Sequence, residues 1–186
     1  MTPNWNYISR VPAHRRMHGD PALVEERLAS DLRGAVGGVN LKLQRVREVL
    51  SPSTLESKTV CALVHDLLVE QMCLRGCVEG LKNGKPDLLF YPEDQQFVHY
   101  WIEVKGSSRK PNGKPRLDWQ AHPTKNQAPP PQGSIHLLLD IETRGEFCIK
   151  DAFLLKDAKY APGKSLNSPF GRIDPASLQA MKSVFV

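Results

Sequence analysis

The sequence predicts an α/β fold. Three observations carry that expectation: a continuous apolar helix over about 54–75, two β-rich runs directly after it, and two further apolar runs at 134–141 and 147–155. With 186 residues, 40% of them apolar, the chain can bury one sizeable core. We expect a helical, basic extension over 1–52 and a core over 53–186.

The extension begins with a basic cluster, Arg10, His14, Arg15, Arg16 and His18. Two helices are predicted, Ala22 to Gly34 and Leu41 to Leu50, split by the glycine-rich stretch Gly34-Ala35-Val36-Gly37-Gly38. Its net charge of +3 is mild, so a DNA clamp, a dimer surface and a plain helical cap over the sheet all stay open.

The next helix has a capping-box start, Ser53-Thr54-Leu55-Glu56, with Ser53 as N-cap, and Gly76 as its stop. Leu63, Leu67, Glu70 and Leu74 fall on one face, so a carboxylate interrupts an apolar stripe. An unpaired buried carboxylate is costly, so Glu70 is expected either to bind a cation, as an acidic metal ligand, or to pair with an arginine or lie at the rim. His65 and Glu26 are further candidates for completing such a site.

After the Asn83-Gly84 turn signal, Pro86-Asp87 opens the run Leu88-Leu89-Phe90-Tyr91. Sixteen positions after Asp87, Glu103-Val104-Lys105 closes the run that starts at Phe97. Hydrolysis of an anionic phosphodiester calls for one or two hard cations on carboxylate oxygens and a group that holds the attacking water. Asp87 and Glu103 supply carboxylates, and the Val104 carbonyl could add an oxygen. Strand alternation puts Glu103 and Lys105 on one face and turns Val104 into the core, so Lys105 reaches the same water. Two other Glu/Asp-x-Lys matches, Glu56-Ser57-Lys58 and Asp157-Ala158-Lys159, lack this paired-strand context.

In Pro86-Asp87 and Glu103-Val104-Lys105 the chain resembles the PD-(D/E)XK nuclease superfamily, over roughly residues 54 to 156. The resemblance implies a central mixed β-sheet flanked by helices, the restriction-endonuclease-like core. It also implies Mg²⁺, for which Mn²⁺ could substitute, an acidic residue on the preceding helix such as Glu70, and hydrolysis of a nucleic-acid backbone. Gln120, after the Glu-x-Lys strand, resembles a glutamine that many branches carry there as a substrate or lysine contact. The long helix usual at that point is not expected, because His122-Pro123 and Ala128-Pro129-Pro130-Pro131 would interrupt it.

Between 105 and 125 the basic residues Lys105, Arg109, Lys110, Lys114, Arg116 and Lys125 oppose only Asp118, a net of +5 that equals the charge of the whole chain. A basic loop over 106–133 is therefore expected to meet backbone phosphates, through Arg109, Lys110, Lys114, Arg116 and Lys125. His122, Lys125, Asn126 and Gln127 are candidate base readers.

Beyond the strands at 134–141 and 147–155, residues 158–175 read as loop and Pro175 to Val184 as a short terminal helix. No apolar stretch reaches a membrane span, and Met1 to Trp5 lacks a signal-peptide plan, so a cytoplasmic protein is expected. Cys61, Cys73, Cys77 and Cys148 read as reduced core residues. The leading expectation is a Mg²⁺-dependent DNA endonuclease of the type II restriction kind, acting as a homodimer because each site cuts one strand. A structure-specific repair or replication nuclease is the alternative within the same chemistry. RNA cleavage and a non-catalytic nucleic-acid-binding module are the remaining readings.

Overall fold

The computed structural model describes residues 21–50, 55–79, 87–90, 100–116, 119–121, 134–156, 158–161 and 171–185. Helix α1 (Pro21–Val49) and helix α2 (Ser57–Cys73) precede strands β1 (Val78–Glu79), β2 (Leu88–Phe90) and β3 (Tyr100–Ser108). Then follow β4 (Gln120–Ala121), β5 (Ser134–Glu142), β6 (Cys148–Lys156), β7 (Tyr160–Ala161), β8 (Gly171–Ile173), the single turn α3 (Pro175–Leu178) and β9 (Lys182–Ser183).

The described residues form a main sheet of six strands in the order β1-β2-β3-β5-β6-β9. Among the described strands only β3 and β5 are parallel, with Glu103 opposite His136 and Lys105 opposite Leu138. All other neighbours in it are antiparallel, so the sheet is mixed. Central β5 is buried on both faces, with Ile135, Leu137, Leu139 and Ile141 on one and Ser134, His136, Leu138 and Asp140 on the other. Ile102, Val104, Ile135, Leu137, Leu139 and Ile141 face the helices and share one core with Leu28, Leu32 and Val39 of α1 and Val60, Val64 and Leu68 of α2. Truncating any of these leucines to alanine would cost about 2–5 kcal/mol. On the opposite face a smaller cluster of Trp119, Leu138, Leu155 and Ile173 lies beside the three-stranded sheet β4-β8-β7, with the Trp119 indole donating to the Leu139 carbonyl at 3.0 Å.

The N-terminal extension departs from expectation, since one 29-residue helix replaces the predicted pair. Glycine here permits a close helix crossing instead of breaking the helix. A Cβ on Gly38 would collide with the Gln71 side-chain oxygen, and one on Gly34 would lie 3.0 Å from Arg75 Nε. Buried Ala35, Val36 and Val39 carry the apolar stripe straight through the glycine-rich stretch, and tertiary packing outweighs its poor helix propensity. The side chain of Asn40 then meets the open edge of β6, donating to the Ile149 carbonyl at 3.1 Å and accepting from the Ile149 N–H at 2.8 Å. It stands in for a neighbouring strand.

Helix α2 starts at Ser57 instead of 54. Ser53 lies outside the described residues, and Glu56 is itself the extended N-cap residue, with no side-chain cap. The Ser57 hydroxyl is hydrogen-bonded to Thr143 Oγ1 at 2.8 Å, tying the helix start to the β5–β6 turn. Gly76 ends the segment as expected, at φ +107°, with Cys77 N–H bonded to the Met72 carbonyl.

The predicted buried stripe is displaced by one position. Val60, Val64, Leu68, Gln71 and Met72 are buried, whereas Leu74 is 70% exposed and Glu70 faces outward. Because α2 is apolar on nearly every side, periodicity alone does not select the face that meets the sheet.

Strand β3 runs past Lys105 to Ser108, so the expected loop starts at 109. In the C-terminal part, β7 and β8 lie in a stretch expected to be loop. The predicted terminal helix is limited to Pro175–Leu178 before β9 pairs with β6. Asp174 caps that turn by accepting from the Ala176 N–H.

Candidate active site

Asp87, Glu103 and Lys105 meet where β2 leaves its pairing with β3. The antiparallel register sets Leu88 opposite Ile102, which carries Asp87, one residue earlier, to the level of Glu103. The carboxylate is fixed there by the backbone, with the Val104 N–H donating to Asp87 Oδ2 at 2.8 Å. Alternation along β3 puts Lys105 on the face of Glu103, and its ammonium lies 2.5 Å from Glu103 Oε1 and 4.0 Å from Asp87 Oδ2. Val104 itself is buried in the core, as the alternation requires. Glu103 is only 2% exposed, so this ammonium is a close counter-charge to a desolvated carboxylate.

His65 reaches the same cluster from α2. Its Nε2 lies 3.5 Å from Asp87 Oδ1, while its Nδ1 is 3.1 Å from Asp66. Gly106 lets the helix come this close: a Cβ there would lie 3.8 Å from the Cys61 Cβ, one turn before His65, and 2.7 Å from Ile141 Cδ1. The hydrogen bond to Asp87 raises the His65 pKa against the opposing effect of burial. For Asp87, burial disfavours the charge, but His65, Lys105 and the Val104 N–H together outweigh it and hold the carboxyl below the usual carboxylate range.

His136 is a buried ionisable side chain beside the candidate site that sequence reasoning missed. Fully buried on β5, it lies in register with Glu103, so the two share a sheet face. Burial, and then the Lys105 charge, push its pKa down to about 4, with Asp87 opposing. A signal was present. Ser134, His136 and Asp140 share one face of the strand beside the Glu-x-Lys tripeptide, interrupted by Leu138, while Ile135, Leu137, Leu139 and Ile141 take the other.

The other sequence candidates are dispersed. Glu70 is on the outer side of α2, paired with Lys42 of α1 at 2.5 Å, and Glu26 is exposed on α1. Gln120 is in the two-residue strand β4, whose backbone pairs with Arg172. Lys110, Lys114 and Arg116 are exposed after β3, and the charge of Arg116 reaches Cys61 on α2. Arg109 points inward, with its guanidinium on Asp140 at 2.6 Å. Pro86, His122, Lys125, Asn126 and Gln127 lie outside the described residues.

Among the described residues no three His, Cys, Asp or Glu side chains are grouped so as to hold a metal ion. The donor chemistry nevertheless suits a hard cation, because two carboxylates converge on one positive charge, the Lys105 ammonium. No helix among the described residues is long and apolar enough to cross a membrane. No family model matches the chain, and no curated protein or solved structure is significantly similar to it.

Proposed function

We propose that the chain is a metal-dependent endonuclease that hydrolyses the phosphodiester backbone of DNA, of the PD-(D/E)XK kind. One observation carries the proposal: Asp87, immediately before β2, and Glu103, on β3, converge on the Lys105 ammonium within a mixed sheet. Mg²⁺ would be held by Asp87 and Glu103, with His65 beside Asp87, once the ammonium yields its place. The bound ion would polarise a water and offset the negative charge of the phosphate.

The protein's own groups have separable tasks. Asp87 is presented by the Val104 N–H, and His65 orients it from the far side. Lys105, released from Glu103, holds the attacking water and stabilises charge on the phosphorane oxygens. Because one such site cuts one strand, a double-strand cut needs two copies, and a homodimer of the type II restriction kind is the simplest assembly. No disulfide joins Cys61, Cys73, Cys77 and Cys148, in keeping with a cytoplasmic setting.

A second reading has its own support. Because Lys105 already supplies a cation to both carboxylates, the same geometry suits a module that binds nucleic acid without cutting it.

Incubation of wild type and the Glu103→Ala/Lys105→Ala variant with supercoiled plasmid, in Mg²⁺ and then in EDTA, tests these readings. Discrete Mg²⁺-dependent fragments from wild type alone support the restriction-type enzyme. Cleavage confined to branched DNA points to a repair or replication nuclease. Salt-sensitive binding with no cleavage in any divalent ion leaves the binding module.

A further inference from the structure

The segment after β3 is a closed, hydrogen-bonded turn. Lys110 N–H donates to the Lys114 carbonyl at 3.0 Å, and Gly113 N–H to the Lys110 carbonyl at 2.9 Å. Gly113 takes φ +73°, a conformation that side chains with a Cβ disfavour, and Asn112 Oδ1 accepts from the Lys114 N–H. Arg109 locks this turn to the sheet. Its backbone N–H extends the pairing with β5 by donating to the Ile141 carbonyl at 2.9 Å. Its guanidinium spans two acceptors, the Gly113 carbonyl at 2.9 Å and Asp140 Oδ2 at 2.6 Å.

Asp140 is 2% exposed and sits on β5 opposite Ser107. Burial raises its pKa above the usual carboxylate range, and the Arg109 guanidinium bonded to it opposes that rise. By contrast Lys110, Lys114 and Arg116 are exposed and make no ion pair among the described residues. Three cations within seven residues, with no acid between them, are held out on a turn whose shape is fixed from beneath. A solvated basic loop needs no such anchor, and a pre-shaped one loses less conformational freedom on meeting a polyanion.

We infer that Arg109 and Asp140 form a positioning pair that pre-shapes the turn 109–116 as a binding element for a nucleic-acid backbone, with Lys110, Lys114 and Arg116 making the phosphate contacts. The inference rests on the nuclease reading for its choice of polyanion. It removes Arg109 from the set of direct phosphate contacts that its charge suggests. Lysine cannot replace it, because a single ammonium does not span two fixed acceptors as a planar fork does.

The test is binding of a short fluorescent DNA duplex in EDTA across a salt series, with thermal melting run beside it to report folding. Because it requires no cleavage, it stays separate from the catalytic proposal. Lys110→Ala/Lys114→Ala/Arg116→Ala is expected to reduce the slope of log affinity against log salt by about 2–3, close to one for each phosphate that is no longer neutralised. Asp140→Asn makes the protein more positive, yet is expected to weaken binding about fivefold or more, because the turn is released. Arg109→Lys, which keeps the charge and spares Asp140, is expected to weaken binding similarly and covers the case in which Asp140→Asn does not fold. Tighter or unchanged binding by folded Asp140→Asn, or wild-type affinity in Arg109→Lys, would overturn the positioning role. Preference of the wild type for an acidic polypeptide such as polyglutamate over the duplex would overturn the choice of nucleic acid.

Discussion

His65 Nε2 lies 3.5 Å from Asp87 Oδ1, so helix α2 touches the candidate site through an imidazole and not through Glu70. The contact joins an element placed by core packing to a carboxylate placed by strand pairing. His65→Ala should remove the α2 contact to Asp87 while the Val104 N–H and Lys105 continue to hold it. We expect cleavage or metal affinity to fall about 10- to 100-fold, the usual effect of removing a group that orients a metal-ligating side chain. Cleavage rates together with calorimetric titration of Mg²⁺ and Mn²⁺ would measure it. Wild-type values in both would remove His65 from the site.

Lys105→Ala removes the cation between two carboxylates. Cleavage should fall at least about a hundredfold while DNA binding persists. Without added metal the variant should be destabilised by about 3 kcal/mol, since buried Glu103 loses its counter-charge. Mg²⁺ should then raise its melting temperature more than that of wild type, because the ion no longer competes with an ammonium. Asp87→Asn keeps an oxygen for the Val104 N–H but loses its charge, so metal affinity should fall in that variant. Equal melting shifts for wild type and Lys105→Ala would refute the shared cation position.

Two adjacent glycines in α1 should respond in opposite directions. Nothing lies within 4 Å of a Cβ built on Gly37, so Gly37→Ala should stabilise the fold by about 0.5–1 kcal/mol through helix propensity. Gly38→Ala would push against buried Gln71, whose side-chain oxygen accepts from Arg75, and should destabilise by about 1–3 kcal/mol. Urea denaturation of both variants checks the pair, and a gain in stability from Gly38→Ala would contradict the close crossing.

Stability should fall on mild acidification because of His136. Its folded pKa is pushed down to about 4 from an ordinary 6.5, so between these values the unfolded chain binds a proton that the folded chain refuses. The contribution is therefore neutral above about pH 6.5 and becomes a loss as pH drops toward 4, reaching on the order of 2–3 kcal/mol. His136→Asn should flatten this part of the pH–stability curve. Urea midpoints at about pH 7.5 and about pH 4.5 for both proteins would show it, and equal slopes would exclude His136 as the cause.

Asn40→Ala should expose the β6 edge at Ile149, where both backbone groups lose their side-chain partner. A loss of about 1–3 kcal/mol is expected, together with faster amide exchange at Ile149. Exchange unchanged at that amide would contradict the edge-capping role.

Local chemistry and short-range pattern determined a definite part of this protein. Val104 turning inward between Glu103 and Lys105 follows from strand alternation, and the juxtaposition of Asp87 with Glu103 follows from two neighbouring strands. The strands at 134–142 and 148–156 were legible because β-rich runs were bounded by turn signals, and the stop at Gly76 because glycine tolerates positive φ. What lay beyond these patterns was decided by tertiary packing. A helix apolar on almost every side carries no preferred face, so only its seat over Gly106 turned His65 toward Asp87 and Glu70 toward Lys42. Glycines that read as a break became a close helix crossing because α2 lies against them. Parallel pairing of β3 with β5 set His136 beside Glu103 and brought buried Asp140 within reach of Arg109, pairings between residues more than thirty positions apart that no local pattern encodes. The physical reason is the same in each case: periodicity orients a side chain relative to its own element, whereas the partner it meets depends on which elements bury their apolar faces together.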